Sequence, residues 1–277
     1  MKERAPEHIP LLGRRDEVRA LTDAPEHIPL LGRRDEVRTL AEAPEHIPLL
    51  GRRDEVRTLA DALRARKSCL ITGPAGIGKT RLIQEALAVS RQPLLRVGRP
   101  GVLHGLLVEL AERLSCPAGR FASVRQATSA ALKPCVLDAL RRAPRCVILE
   151  NVGAASPPMY RFLQQLYHVP GVCLIVTAAS RDSLGHLRKL LWDPREEIAL
   201  EPLTRAEAAG LFDAAARAYR LESFDLDAFR GQVLAAAQGN PGQILTMCRM
   251  ACRPEYQDGR HIKFLPLRMD ALTAFVR

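Results

Sequence analysis

Eight consecutive residues, about a quarter of the way along the chain, have the spacing of a phosphate-binding loop. The segment Gly73-Pro74-Ala75-Gly76-Ile77-Gly78-Lys79-Thr80 fits the pattern G-x-x-x-x-G-K-T. It follows an apolar run and precedes residues that favour a helix, which is the context that this pattern requires. Glycines let the backbone wrap closely around phosphate groups, with its N–H groups pointing inward. The pattern therefore predicts that this segment, a candidate P-loop, binds a nucleoside triphosphate.

Three residues at the end of the P-loop have separate predicted roles. We expect the ammonium group of Lys79 to reach the β- and γ-phosphates of ATP and to act there in catalysis, and the hydroxyl of Thr80 to ligate Mg²⁺. The helix that starts near Lys79 adds the positive end of its dipole. Arg81 follows directly and completes the predicted nucleotide-binding set. The alternative is a chance Gly-rich turn, which the flanking strand and helix disfavour.

A candidate acidic residue ends a second apolar run. Such ATPases need an acid at the end of a neighbouring strand to hold the Mg²⁺ shell, and a base to activate water. In the run CVILEN, Glu150 takes the metal position and Asn151 takes the position of the base. An amide can orient water but cannot accept its proton, so we expect slow hydrolysis. Two alternatives stay open: the register is shifted so that Glu150 is the base, or Glu150 merely ends a strand.

Further residues are predicted to lie near the γ-phosphate or the nucleoside. Thr177 ends the next apolar run, and Arg181 follows it, where its charge can stabilise a transition state in this subunit or a neighbouring one. A strand-end Thr and a surface Arg are the structural alternative. The turn Gly239-Asn240-Pro241-Gly242 opens a helix whose backbone can close over adenine and ribose. A plain turn with an Asn cap and Pro241 at the first helical position explains the same residues.

Alternating strands and helices must position these groups. Five apolar runs read as strands with helices between them, a pattern typical of an α/β protein whose parallel sheet is covered on both faces. From Thr204 the pattern is helical, and the tail from Ile262 can add a strand and a short helix. The predicted strands are 68–72, 93–97, 145–149, 171–177 and 197–200. The predicted helices are 56–66, 81–87, 102–115, 123–142 with an interruption at Pro134, 157–167, 181–192, 204–219, 225–238 and 241–252.

Composition and charge limit the classes of function. Residues 1–61 carry 11 Lys and Arg against 13 Asp and Glu, so the remainder carries 30 against 18, a net charge of +12. This excess favours a polyanionic partner such as nucleic acid or an acidic protein, although a solvated basic surface explains it equally well. Seven scattered cysteines without a C-x-x-C pair favour free thiols in a reducing compartment. No apolar run is long enough for a membrane span and no signal peptide opens the chain, so we expect a cytoplasmic protein.

The N-terminus repeats one sequence three times. Residues 5–19, 24–38 and 43–57 all read APEHIPLLGRRDEVR, with a period of 19 residues. Such near-identity indicates a recent duplication or an assembly artefact rather than a solenoid. Pro25 and Pro44 end the helix early in the first two copies, so we expect these to be short helical hairpins and the third copy to be the working one. The predicted domains are 1–42 (two extra copies), 43–201 (P-loop αβα domain) and 202–277 (helical lid and tail).

Taken together, the motifs resemble the AAA+/STAND branch of P-loop ATPases. The resemblance rests on Leu50-Gly51-Arg52, GPAGIGKT, VILEN, LIVTAASRD, EPLTRAEAAGLF and QGNPGQI, between Leu49 and Met250. It implies a three-layer αβα domain with strand order 5-1-4-3-2 and a helical lid, and base contacts from Leu50, Gly51 and Arg52. It assigns the acid pair to Glu150 and Asn151, and the first sensor to Thr177 or Arg181. The Arg of the family's second sensor has no counterpart at Gln243.

The function that these features imply is an ATP-binding conformational switch with Mg²⁺ as cofactor and slow hydrolysis. A protein partner or a homo-oligomer with a shared arginine is implied by the family resemblance. An ATP-dependent DNA-binding regulator of the kind that assists transposases is one alternative, supported by the net charge of +12 in residues 62–277. A P-loop small-molecule kinase is another, but it would need an acceptor pocket and an Arg-rich lid. We expect no membrane partner.

Overall fold

The computed structural model describes residues 47–90, 94–98, 101–119, 121–191 and 193–276. The predictions for the first two repeat copies, and for Trp192, lie outside these ranges. All seven cysteines are free thiols. None of the helices in the described ranges is long and apolar enough to cross a membrane.

A five-stranded parallel sheet forms the centre of the molecule. Its strands are β1 (Cys69–Thr72), β2 (Leu94–Val97), β3 (Cys146–Leu149), β4 (Cys173–Ala178) and β5 (Glu197–Ala199). Their order across the sheet is β2-β3-β4-β1-β5, which confirms the predicted order. Every residue of β1, β3 and β4 is buried, as their continuous apolar sequences require for a sheet covered on both sides.

Helices cover both faces of the sheet and complete a three-layer αβα fold. On one face lie α1 (Arg53–Arg64) and α2 (Lys79–Ser90), and on the other α3 (Leu103–Arg113), α4 (Ser129–Arg142) and α5 (Pro157–Tyr167). Alternate residues of β1 supply the two cores: Ile71 packs on the α1 and α2 side, and Leu70 on the opposite side. The third repeat copy enters this fold through α1, whose Leu59 and Leu63 are buried.

Two predicted helices differ in the structure. Residues 123–142 are not one helix broken at Pro134, because α4 runs through that proline without interruption. The break lies earlier, where Ala127 is extended between a 3₁₀ turn and the Thr128 cap. In place of the predicted helix from Arg181, the structure has 3₁₀ turns over Asp182–Lys189, because Gly185 has φ 55° and ψ −126°, which no helix accommodates.

The lid is a helical unit with its own core. Its helices are α6 (Arg205–Ala218), α7 (Leu226–Ala237), α8 (Pro241–Ala251) and α9 (Phe264–Val276), with a hairpin of β6 (Gln257–Asp258) and β7 (His261–Ile262) before the last. The predicted strand and short helix of the tail are therefore a hairpin and a 13-residue helix. Ile47 is buried in this core and Leu50 packs against it, so the start of the third repeat copy contacts the lid.

Candidate functional site

The P-loop connects the buried end of β1 to the first turn of α2. Its glycines Gly73, Gly76 and Gly78 all have positive φ. At Gly78 (φ +105°) the space that a Cβ would occupy has no atom within 4 Å, so the backbone there is open on one side. An open, glycine-lined backbone that leads into a helix N-terminus is suited to hold an anion.

Lys79 provides a direct test of whether these residues fit a triphosphate. Its side chain is buried, and Nζ donates hydrogen bonds to the carbonyl oxygens of Gly73 (2.6 Å) and Pro74 (2.9 Å). Burial lowers the pKa of this ammonium group. No carboxylate pairs with it anywhere in the described part of the chain. A buried cation held only by carbonyl oxygens fits a phosphate ligand, which would restore the favoured charged form.

The two residues after Lys79 point to different environments. Thr80 is exposed at the mouth of the loop, where its hydroxyl is available to a metal ion. Arg81 instead pairs with Glu85 one turn further along α2, at 2.9 Å. That pair is half-buried, and the contact of Arg81 with nucleotide stays a prediction.

Glu150 follows β3 and is bound by an arginine that the sequence did not single out. Arg96 donates from Nε to Oε1 (2.8 Å) and from Nη2 to Oε2 (3.1 Å), and Glu150 is buried. The pair forms because β2 and β3 are parallel neighbours with Arg96 opposite Ile148. Sequence patterns do not reveal strand register, so only the alternation of β2 could have shown which face Arg96 occupies. Any metal bound by Glu150 would have to compete with this guanidinium.

Asn151 and Thr177 form one structural unit at the ends of β3 and β4. The backbone N–H of Asn151 donates to the Thr177 hydroxyl at 2.8 Å, and the next N–H, of Val152, donates to the Thr177 carbonyl at 2.8 Å. Asn151 has φ 51°, and its side chain is exposed. The structure thus brings these predicted residues together, with Thr177 orienting the turn that presents the Asn151 amide.

Arg181, which follows β4, is hydrogen-bonded to Glu197, the first residue of β5, and to the backbone of Leu191. Its Nε donates to Glu197 Oε2 at 2.7 Å and its Nη1 to the Leu191 carbonyl at 2.8 Å. Glu197 also accepts from the hydroxyl of Thr72, the last residue of β1, at 2.7 Å. A sensor or intersubunit role for Arg181 stays a prediction, and it would require the ion pair with Glu197 to open.

The segment Leu50-Gly51-Arg52 lies between α1 and the lid. Arg52 is buried, donates to the Glu55 carboxylate at 3.0 Å and also donates to the Glu201 carbonyl. Gly51 has φ +66°, and a Cβ at that position would lie 2.3 Å from a carboxylate oxygen of Glu207. The positive φ favours glycine, and any other side chain would have to displace the Glu207 carboxylate. The segment therefore joins the lid to the P-loop domain, and its predicted contact with a nucleotide base stays a prediction.

The first turn of α8 is hydrogen-bonded directly to the P-loop. Asn240 Nδ2 donates to the Ala75 carbonyl at 2.9 Å, and the Gly242 N–H donates to the Gly76 carbonyl at 2.9 Å. The other end of the same amide, Asn240 Oδ1, caps the helix by accepting from the Gln243 N–H at 3.3 Å. Pro241, predicted to contact the nucleoside, lies between these two contacts at the first helical position. The sequence indicated the cap, but not the bond to a loop 165 residues away.

No group of three or more His, Cys, Asp or Glu side chains that could hold a metal ion occurs among the described residues. The side chains predicted to hold the metal are those of Thr80 and Glu150. Magnesium binds proteins through one or two such ligands together with substrate phosphates, so this sparse set fits Mg²⁺ bound with a nucleotide rather than alone.

Similar proteins support this interpretation of the fold. Cdc6p from Pyrobaculum aerophilum is 17% identical with a TM-score of 0.59, over 79% of this chain and 66% of that one. The Aeropyrum pernix ORC1 protein, in a structure with DNA, is 16% identical with a TM-score of 0.57, over 83% and 67%. The RuvB Holliday junction branch migration motor of Thermotoga maritima is 14% identical with a TM-score of 0.51, over 80% and 69%. This chain thus spans about two thirds of these structures. No curated protein matches the sequence.

The matched family covers the third repeat copy, the sheet and the start of the lid. Residues 48–243 match the family described as AAA ATPase domain, so the match extends from just before Leu50 to the first turn of α8. It confirms the resemblance to AAA+ P-loop ATPases that the motifs indicated. Because the match covers well over half of the sequence and agrees with the observed strand order, the chain belongs to the AAA ATPase domain family.

Proposed function

We propose that this protein is an ATP-binding switch in which the lid responds to the nucleotide and hydrolysis is slow. The observation that supports the switch is the direct bonding between the lid and the P-loop. Two carbonyl oxygens of the loop, those of Ala75 and Gly76, accept hydrogen bonds from the first turn of α8. Any movement of the loop that accompanies phosphate binding would therefore change the position or the bonding of the lid.

Lys79 supplies the reason for such a movement. Its ammonium group is now bonded to the carbonyl oxygens of Gly73 and Pro74, in the same loop that holds the lid. Phosphate oxygens are stronger acceptors for an ammonium group than neutral carbonyls. When Lys79 turns to a phosphate, the Gly73 carbonyl loses this donor and the Pro74 carbonyl keeps only the Ile77 N–H, at 3.4 Å. The loop between them and α8 is then free to adjust.

Slow hydrolysis is supported by the residues at the end of β3. The exposed Asn151 amide can orient water but has no basic atom to accept a proton. Glu150 is the nearest carboxylate in sequence, and both of its oxygens are bound by Arg96. A carboxylate whose two oxygens both accept from one guanidinium is a poor metal ligand until that pair opens. We propose that Thr80 and Glu150 hold Mg²⁺, which would help to neutralise phosphate charge.

Partners follow from the same proposal. A change in the position of the lid alters the surface that the protein offers, which suits a protein partner or a homo-oligomer. Nucleic acid is the second candidate partner, supported by the +12 net charge of residues 62–277. The ORC1 structure with DNA shows that a protein of this fold can bind DNA.

Amide hydrogen exchange of the lid tests the switch. We expect a non-hydrolysable ATP analogue to change exchange in α8, and calorimetry to show that the wild-type protein binds the analogue. Lys79→Ala should abolish both, because it removes the full positive charge at the β- and γ-phosphates. Lys189→Ala, which removes an exposed lysine, is the matched control and should change neither. Binding without any change in α8 would contradict the switch, and unchanged affinity in Lys79→Ala would contradict the P-loop site.

A further inference from the structure

Four cations lie at the amino ends of two strands, β1 and β3, on the edge of the sheet opposite to the P-loop. Arg66 and Lys67 precede β1, and Arg142 and Arg145 precede β3. We name these four residues the amino-edge cations. Because β4 pairs with both β1 and β3, the two groups are two strand spacings apart, about 10 Å.

Contacts across β4 bring the two groups together. Arg66 Nη1 donates to the Gly171 carbonyl, just before β4, at 3.0 Å. A Cβ on Gly171 would lie 3.2 Å from that nitrogen and 3.0 Å from Pro144, in the loop that carries Arg142 and Arg145. The guanidinium of Arg66 therefore reaches the same surface as the α4–β3 loop. The amino-edge cations form one continuous basic surface.

The positive charges of the amino-edge cations are not neutralised by nearby carboxylates. Neighbouring arginines are paired, Arg64 with Asp61 and Arg141 with Asp138. None of the amino-edge cations forms an ion pair with a carboxylate in the described part of the chain; Arg142 instead donates to the Asp138 carbonyl. Glu196, which precedes β5, forms no ion pair in the described part of the chain. Three of the four cations are exposed and Arg145 is partly exposed.

We infer that the amino-edge cations bind the phosphate backbone of a double-stranded nucleic acid. The inference rests on the proposal above that nucleic acid is a partner, and adds the surface and the form of the ligand. Unpaired Lys and Arg side chains on one surface are the groups that neutralise phosphates in sequence-independent binding. Three of the four are arginines, whose planar guanidinium matches phosphate oxygens in pairs.

The residues next to the cations along the chain favour a duplex over other polyanions. The segments 64–68 and 141–145 read RARKS and RRAPR. They contain no aromatic residue, so they offer no platform on which the bases of a single strand could stack. They also contain no large apolar side chain that could enter a membrane interface. Backbone contact with a duplex requires neither.

The location leaves the nucleotide site free. All five strands are parallel and the P-loop follows the carboxyl end of β1, so the two sites are separated by the length of the sheet. Four residues at about 3.3 Å each place them roughly 13 Å apart or more. A duplex on the amino edge can therefore be bound together with ATP, and each ligand can be measured without the other.

Salt-dependent binding of a 30-base-pair DNA, measured by fluorescence anisotropy on the full chain, tests the inference. The variant Lys67→Gln/Arg142→Gln/Arg145→Gln should lower the slope of log affinity against log salt by about 3, since each phosphate contact contributes roughly 0.9. At 0.1 M salt its affinity should fall on the order of 10²-fold. The control Arg57→Gln/Arg188→Gln/Arg230→Gln removes the same charge from three cations that are paired on exposed surfaces. It should keep the slope of the wild-type protein.

The outcomes separate the inference from the proposed switch. Lys67→Gln alone removes one exposed side chain and should lower the slope by about 1. The inference would be overturned if the triple variant and its control lost the same affinity, or if the wild-type protein did not bind DNA. It would also be overturned if single-stranded DNA or anionic vesicles bound more tightly than duplex. ATP affinity, measured by calorimetry, should stay the same in all these variants. If DNA binds at this edge and ATP does not bind at all, the inference stands and the switch fails.

Discussion

At the scale of single residues, the ion pair between Arg96 and Glu150 decides how the site can work. Glu150 is nearly buried, and both of its oxygens accept from one guanidinium. Charge-assisted, bidentate pairs of this kind are stronger than neutral hydrogen bonds and fix the carboxylate in one orientation. Metal binding by Glu150 must therefore be coupled to the release of Arg96.

Arg96→Ala should make this coupling measurable. Without nucleotide the variant should be less stable by about 1–3 kcal/mol, because a buried carboxylate loses its partner. With Mg²⁺ and a non-hydrolysable ATP analogue it should gain more in melting temperature than the wild-type protein does. The control is Arg113→Ala, which breaks a more exposed pair with Glu109 on α3 and should change stability by at most about 1 kcal/mol. An equal gain for wild type and Arg96→Ala would show that Glu150 does not bind the metal.

Asn151 sets the expected rate of hydrolysis. Loss of a general base costs about 10²–10⁴ in rate, so we expect turnover well below the usual median of about 10 s⁻¹. Asn151→Glu should raise turnover, measured as phosphate release, while ATP affinity stays nearly unchanged.

Glu150→Gln should instead weaken the Mg²⁺-dependent part of ATP binding. The turnover assay should cover a range of protein concentrations, because an arginine finger missing from a neighbouring subunit would cost as much as a missing base. Rapid turnover by both wild type and Asn151→Ala would place the base at Glu150.

Sequence spacing identified some of these residues and missed others for a physical reason. The P-loop residues are consecutive, so their pattern and the position of Lys79 could be predicted directly. Arg96 and Asn240 act on groups 54 and 165 residues away. Such contacts depend on strand register and on lid placement, which local patterns do not encode.

At the scale of elements, the link between α8 and the P-loop depends on one side chain with two functions. Asn240 accepts a hydrogen bond to cap α8 and donates one to the Ala75 carbonyl. An aspartate can perform the first function but not the second. The two contributions can therefore be separated by a pair of substitutions.

Asn240→Asp should keep the cap and lose the bond to the P-loop, whereas Asn240→Ala should lose both. We expect Asn240→Ala to be destabilised by about 1 kcal/mol through the lost cap, and Asn240→Asp to be nearly as stable as the wild-type protein. Both should lose the exchange response of α8 to nucleotide. Differential scanning calorimetry and hydrogen exchange measure the two effects. A full response in Asn240→Asp would show that the bond from Gly242 suffices.

The elements themselves were predictable where apolar runs were long and uninterrupted. All five strands agree with the predictions from the apolar runs, and their order agrees with the one that the family resemblance implied. The errors fall where a single residue overrides the pattern. Gly185 breaks an apparent helix because its φ is positive, and Thr128 starts α4 late because its hydroxyl accepts from the Ala131 N–H. Pro134 was expected to interrupt the helix and does not.

At the scale of the whole molecule, the repeated N-terminus makes a simple prediction. The third copy supplies α1 and the contacts of Ile47 and Arg52 with the lid side. Deleting residues 5–42 leaves every one of these groups in place. The melting temperature and the ATP affinity of the deletion variant should therefore be nearly unchanged, as measured by calorimetry. A large loss of either would show that the first two copies contribute to the fold or to the site.

The strand order also has a consequence for synthesis of the chain on the ribosome. Of the five strands in the sheet, the P-loop strand β1 is made first, yet its two neighbours are β4 and β5, which are made last. About 100 residues separate the end of β1 from the start of β4, and translation at about 5–20 residues per second needs about 5–20 s to add them. During that interval the apolar sequence CLIT has neither partner strand, which is the state in which strands associate with other chains. Codons that slow translation between residues 73 and 172 should therefore increase aggregation of the nascent protein without changing any amino acid.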